Sequence, residues 1–180
     1  LGVADVAAVR EAFAHFDDVV GVVSLRAKED ASAGLSETEI DRYMLTALQP
    51  YAWAHELLQT IPGIDQIAAA LILIEIGDDM GRFGCAERLA SWAALCPGNN
   101  ESAGKRKSGR TRHGNGVIRY ILCECANAAR MTKSSLAAKY RSLMVRKSHK
   151  KAIVAVAHKM IRLIYILLSR RQPYIDQGID

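Results

Sequence analysis

Strand-forming pattern is what this 180-residue chain lacks first: no alternating run of β-branched residues bounded by tight turns occurs, and there are only four prolines to break helices. With alanine, leucine and isoleucine dominant, that absence excludes a sheet architecture and predicts an all-α fold, a helical bundle of one domain or two small lobes. Cysteine is nearly as scarce. Cys85, Cys96, Cys123 and Cys125 form neither a CxxC pair nor a secretory pattern, so free thiols in a reducing cytoplasm are expected. Asp5 and Glu11 stand where a signal peptide would carry a basic region and an apolar run. The apolar segments 67–76 and 153–168 read as too short, or too interrupted by Lys159 and Arg162, to span a bilayer. A cytoplasmic protein without a membrane partner is the expectation.

Metal ligands are also sparse. His15, His55, His113, His149 and His158 are scattered, Cys123 and Cys125 diverge on a helix, and no spacing suits zinc. The adjacent acids Asp17 and Asp18, or Asp78 and Asp79, cap or solvate helix ends more readily than they bind a cation. No metal site is expected within this chain.

The most telling scarcity is of acids after Ser102, where only Glu124, Asp176 and Asp180 remain. Up to Gly104 the chain has six cations against 16 acids, net −10; beyond it, 18 cations face 3 acids, net +15. A half so one-sided repels itself unless it meets a polyanion or an acidic surface. Nucleic acid is the first candidate, a membrane surface a weaker one, and the chain's own acidic half the plain alternative.

What is present reads as helices. Residues 3–23 place Val6, Val9, Phe13, Phe16 and Val20 on one face, and Ser36-Glu37-Thr38-Glu39 is a capping-box start to a second helix that Pro50 should kink or divide. Residues 66–76 are apolar nearly all round, hence central. A short helix follows over 85–94, and three more over 117–130, 134–146 and 150–170. Their basic residues lie beside an apolar set, Ile153, Val156, Met160, Leu163, Ile164 and Leu167, so one face packs while the other could track a duplex backbone.

Two stretches carry chemistry. Ile61-Pro62-Gly63-Ile64, between helices, resembles the hairpin of a helix-hairpin-helix element, whose backbone amides at Gly63 and Ile64 can reach a phosphate. Asp65 stands where the usual hairpin has a second glycine; its carboxylate would repel a phosphate or cap the next helix. The second stretch, 97–115, is a long basic loop punctuated by glycines. Lys105, Arg106, Lys107, Arg110, Arg112 and then Arg119 follow Ser102 with no acid among them, which suits phosphate neutralisation. Such a loop can equally be a solvated charged segment. It has no P-loop spacing and no aromatics to stack single-stranded bases. Ser102 is a nucleophile only if a base takes its proton or a cationic cradle stabilises the alkoxide, with Glu101 and His113 as candidate bases.

Residues 58 to about 168 resemble the carboxyl-terminal transposase domain of the IS110/IS116/IS902 (also IS1111) insertion-sequence transposases. The landmarks are LQTIPGI at 58–64, IEIGD at 74–78, Phe83, the block LASWAALCPGNNESAGKRKSGRTRHGNGVIR at 89–119, and KKAIVAVAHKMIRLIYILL at 150–168. The resemblance implies a DNA recombinase in two parts: a RuvC-like domain whose DEDD carboxylates hold magnesium, and a helical domain that supplies a catalytic serine. The parts are joined by a coiled-coil-forming region, assemble as dimers or tetramers, and are guided in some members by a structured RNA. It places the catalytic serine at Ser102 and sets residues 105–112 against the scissile DNA. Many relatives have Ser-Ser-Gly where this chain has Glu101-Ser102-Ala103. No ribonuclease-H-like pattern precedes residue 58, so the magnesium-binding half is expected outside this chain, as in a fragment or a truncated product.

The expectation is therefore a helical linker or oligomerisation region over 1–57, a transposase domain over 58–171 with a hairpin and a basic loop, and a tail over 172–180. A non-catalytic nucleic-acid-binding or assembly module, and a structural relic that merely oligomerises, are the competing readings.

Overall fold

In the computed structural model the described residues form six α-helices, α1 Ala52–Gln59, α2 Gln66–Ile76, α3 Ala86–Trp92, α4 Gly116–Ala129, α5 Ser135–Met144 and α6 His149–Arg170. The structure describes residues 49–98, 100–102, 105–108, 111 and 113–176; the helices expected over 3–23 and from Ser36 lie outside them. The chain divides into two compact units, Leu1–Ala52 and Trp53–Asp180, and every candidate functional residue belongs to the second.

In that unit α6 is the hub, packed against α3, α4, α5 and the 3-10 turn Met80–Arg82. The reason is in its spacing. Ile153, Val156, Ala157, Met160, Ile161, Ile164 and Leu168 recur every three to four residues and are all buried, each large one contributing about 1.5–3 kcal/mol of apolar transfer energy. By length and composition α6 could cross a membrane, contrary to the expectation that Lys159 and Arg162 interrupt it too much; half of its apolar window is buried inside the fold, where it serves as the core helix.

Helix α2 packs on α4 and buries Ala69, Ala70, Ile72, Leu73 and Ile76. Asp65 caps it, its Oδ1 accepting from the Ala68 amide at 2.7 Å, so the residue that departs from the usual hairpin serves the helix start. Behind it, buried His55 of α1 lies 2.9 Å from the Gln66 carbonyl through Nε2. Since a carbonyl only accepts, Nε2–H donates, and Nδ1 accepts from the Gln59 amide at 3.2 Å. One histidine thereby fastens α1 to the start of α2.

The turn between them is pressed onto α4. Gly63 has φ +90°, and a Cβ there would stand 2.4 Å from the Cys125 carbonyl oxygen and 2.5 Å from the Ala129 nitrogen. Small residues on α4, Ala126 and Ala129, are what let the turn come this close. Cys125 is buried in the same contact; burial, with the Asp65 carboxylate adding to it, pushes its thiol up to about 12. A charged alkylating reagent at about pH 8 is expected to leave Cys125 untouched in the native protein and to label it once urea unfolds the chain, as peptide mass spectrometry would show.

The tail returns across the unit. Tyr174 donates its backbone amide to Thr60 Oγ1 at 2.8 Å, and its hydroxyl lies 2.8 Å from Ser135 Oγ. The Asp176 carboxylate accepts from the Ser135 amide at 2.9 Å, a negative charge at the amino end of α5.

The all-α expectation holds for the body of the fold, with one local departure. The basic stretch is not an open loop throughout: β1 Asn100–Ser102 and β2 Lys105–Ser108 form a two-stranded antiparallel ribbon between α3 and α4. Lysine, arginine, serine and asparagine give no strand signal; short-range pairing across a two-residue connection makes the ribbon, and no periodicity announces it.

Candidate functional site

The ribbon's register brings the expected residues into pairs. Ser102 pairs with Lys105, Glu101 with Arg106 and Asn100 with Ser108. The step from Arg106 to Ser108 against a single step on β1 leaves Lys107 as the extra residue of a bulge. Bulges recur beside functional sites because the extra residue re-aims the strand. Ser102 is thus the last residue of β1, next to the connection, and Lys105, Arg106 and Lys107 open the return strand. Arg110 and Arg112 lie outside the described residues.

The base of this excursion is clamped to the helical core at several points. Pro97 and Thr111 form an isolated antiparallel bridge, and Arg119, in the first turns of α4, donates from Nη1 to Thr111 Oγ1 at 2.8 Å. Gly114 touches the end of α3 so closely that a Cβ would stand 2.4 Å from the Trp92 carbonyl oxygen. Asn115 gathers three elements. Its backbone amide donates to that same carbonyl at 2.8 Å, its Oδ1 accepts from the Val117 and Ile118 amides at 2.9 and 3.1 Å, and its Nδ2 donates to Glu75 of α2. Asn115→Ala removes the cap of α4 and strands a half-buried carboxylate, and is expected to cost about 1–2 kcal/mol in a urea titration.

Gly63 and Ile64 are elsewhere. Their turn sits against the Cys125–Ala129 end of α4, whereas Arg119 is six to ten residues earlier on that helix, about 9–15 Å along its axis. The Ile64 amide donates to the Ile61 carbonyl at 3.1 Å, its side chain is buried, and the capping carboxylate of Asp65 lies at the start of α2. These features account for the hairpin as a packing device.

The base opens onto a groove of about 1740 Å³. Its lining joins Leu95, Pro97, Thr111, His113 and Arg119 to Lys139 and Leu143 of α5, residues 146–148 of the α5–α6 link, and residues of α6 from Lys150 to Ile166. Sequence reasoning singled out the basic residues of these helices as a charged face but did not gather them into one site; the signal was the run Arg146-Lys147-Ser148-His149-Lys150-Lys151, six residues without an acid. At the groove's edge Arg162 pairs with Glu87 at 2.8 Å. A backbone hydrogen bond and then Arg162 hold the Glu87 carboxyl below its usual range. His158, half-buried in the groove, is lowered by burial first and by Arg162 second, with Glu87 opposing. Among the described residues no group of three or more His, Cys, Asp or Glu is placed to hold a metal ion, so no ligand set for magnesium is found among them.

Comparison with known proteins adds the following. The model of the transposase IS116/IS110/IS902 family matches residues 55–141. The y4pF/y4sB protein of Sinorhizobium fredii (strain NBRC 101917 / NGR234) is 32% identical over 123 residues, 65% of this chain and 32% of that protein. The transposase for insertion sequence element IS1111A of Coxiella burnetii (strain RSA 493 / Nine Mile phase I) is 29% identical over 122 residues, 65% of this chain and 33% of its own length. The insertion element IS900 uncharacterized 42 kDa protein of Mycobacterium paratuberculosis is 29% identical over 123 residues, 66% and 30% of the two chains. The chain spans about a third of the length of these relatives.

Proposed function

Because the chain belongs, through residues 55–141, to the transposase IS116/IS110/IS902 family, we propose that it acts as the DNA-binding, serine-bearing part of an insertion-sequence transposase. The observation that carries this reading is the pairing of Ser102 with Lys105 at the end of a ribbon whose return strand reads Lys-Arg-Lys and whose base is clamped to the core beside Arg119. In the proposed reaction the Ser102 oxygen forms a bond to a DNA phosphorus while the bond from that phosphorus to the leaving sugar oxygen breaks. The serine proton passes to a base, Glu101 or His113, and the departing sugar oxygen gains a proton. The outcome is a covalent phosphoserine link to one DNA end, and the reverse attack by a sugar hydroxyl rejoins the strand.

Lys105, Arg106, Lys107, Arg110, Arg112 and Arg119 are assigned to the phosphates, where their fixed positive charge opposes the charge that builds on phosphorus. Gly63 and Ile64 enter this reading only as the turn that seats α1 and α2 on α4. Magnesium, when bound by carboxylates of the family's RuvC-like domain, would supply Lewis-acid stabilisation; no step is routed through residues of this chain to such an ion. Assembly as a dimer or tetramer, and guidance by a structured RNA, belong to the same proposal.

The test is a denaturing-gel trap on DNA bearing the element's ends, with the RuvC-like domain supplied and native chain compared with Ser102→Ala. A denaturation-resistant protein–DNA band that disappears in the variant supports the reading. An assembled complex with equal DNA binding and no adduct from either protein leaves a non-catalytic binding and assembly module.

A further inference from the structure

The cations that line the groove are not the ones assigned to the ribbon, apart from Arg119, and they carry an inference of their own. Eight of the nineteen described residues lining it are lysine or arginine and none is aspartate or glutamate. Lys147, Lys150 and Lys151, at the corner between α5 and α6, are exposed, and the ion pair on the groove among the described residues is that of Arg162. From Lys151 the lining continues along one face of α6 through His158 to Arg162, eleven residues or about 16 Å of helix. That length matches the axial rise of roughly five base pairs on one strand. The described lining has no Phe, Tyr or Trp, so the platforms on which single-stranded bases stack are missing. The α6 part of the lining between the cations is aliphatic, Val154, Ala155, Leu163 and Ile166, side chains without donors or acceptors to read base edges.

We infer that this groove is a second, sequence-independent binding track for the phosphodiester backbone of duplex DNA, separate from the serine ribbon and holding the double helix beside the strand that the ribbon engages. It rests on the nucleic-acid-binding part of the reading above and not on the serine chemistry. In this arrangement the corner lysines set affinity and orientation, and the ribbon acts on whichever phosphate the track presents. His158, buried partway in the same wall, reports occupancy, because a phosphate beside it favours the imidazolium.

The experiment measures binding of a short random-sequence DNA duplex by fluorescence anisotropy between about 50 and 200 mM salt. It compares the native chain, the triple variant Lys147→Gln/Lys150→Gln/Lys151→Gln, and the ribbon variant Lys105→Gln/Arg106→Gln/Lys107→Gln. With about 0.9 counterions released per neutralised phosphate, the corner variant is expected to lower the slope of log affinity against log salt by about 2 to 3. The exposed positions and helix-compatible glutamine are expected to preserve the fold, which circular dichroism checks. In parallel, the His158 imidazole proton resonance is expected to titrate at higher pH when the duplex is added. A native slope in the corner variant with an unmoved His158 overturns the groove assignment, as does an RNA duplex that depends on the corner lysines when the DNA duplex does not. Failure of the native chain to bind either duplex at the lowest salt overturns it as well. A lowered slope together with an adduct unaffected by Ser102→Ala would instead sink the serine chemistry and leave the groove standing.

Discussion

Ser102→Ala is expected to remove strand cleavage and the covalent adduct while leaving DNA affinity within about fivefold of native, the ordinary worth of one neutral hydrogen bond. The asymmetry is the point of the test. A serine that only caps or clamps would change binding and little else, whereas a nucleophile cannot be replaced by any neighbouring group. In this chain Glu101 and Ala103 flank Ser102, so no second hydroxyl is adjacent to take over. The expected loss in the chemical step is on the order of 10⁴-fold or more, with residual activity set by positioning and electrostatics alone. Ser102→Cys makes a useful companion, because a thiolate attacks phosphorus poorly but would preserve the shape of the strand end. Single-turnover cleavage, read separately from anisotropy, tells the two roles apart.

Gly63→Ala is expected to be the most destabilising single methyl that can be added to the unit. Two costs coincide there. The backbone has φ +90°, a conformation that side chains rarely adopt, and the new Cβ would meet main-chain atoms of α4 at 2.4–2.8 Å. Backbone cannot swing aside as a flexible side chain would, so the turn must lift off the helix and open the contact around Cys125. A loss on the order of 3 kcal/mol is expected from strain and overpacking together. Gly116→Ala is the matched control: its added methyl meets nothing within 4 Å and lies at the first residue of α4, so it should be neutral or slightly stabilising. Urea midpoints for the two variants, measured side by side, check both. Equal midpoints would mean that the turn does not bear on α4 as described.

Much of this fold is legible because its helices obey one rule. The three- and four-residue recurrence in 150–170 predicts a long packed helix, and His149–Arg170 is one; the all-round apolar character of 66–76 predicts a central helix, and α2 does bury Ala69, Ala70, Ile72, Leu73 and Ile76, although the centre belongs to α6. Asp65 shows a different kind of legibility. Its carboxylate had two readings, repelling phosphate or capping α2, and the hydrogen bond to Ala68 realises the cap. What sequence could not show is relation across distance. Nothing in IPGI announces that Gly63 abuts Cys125 and Ala129, sixty residues onward. The ribbon was invisible because β1 and β2 are three and four residues of polar and cationic type, below the length at which alternation can be recognised. The groove was invisible for the same reason: Arg119, Lys139 and Lys159 are neighbours only after α4, α5 and α6 have packed.

The stitching of the tail has a consequence for how the unit can be carried. Trp53, the first residue of the unit, lies under the Arg171 guanidinium at 4.5 Å, and Tyr174 is bonded to Thr60. Entry and exit therefore share one doorway. A module built this way can interrupt a longer polypeptide without prising its host apart, since the host's strands or helices need only part by the width of two chains.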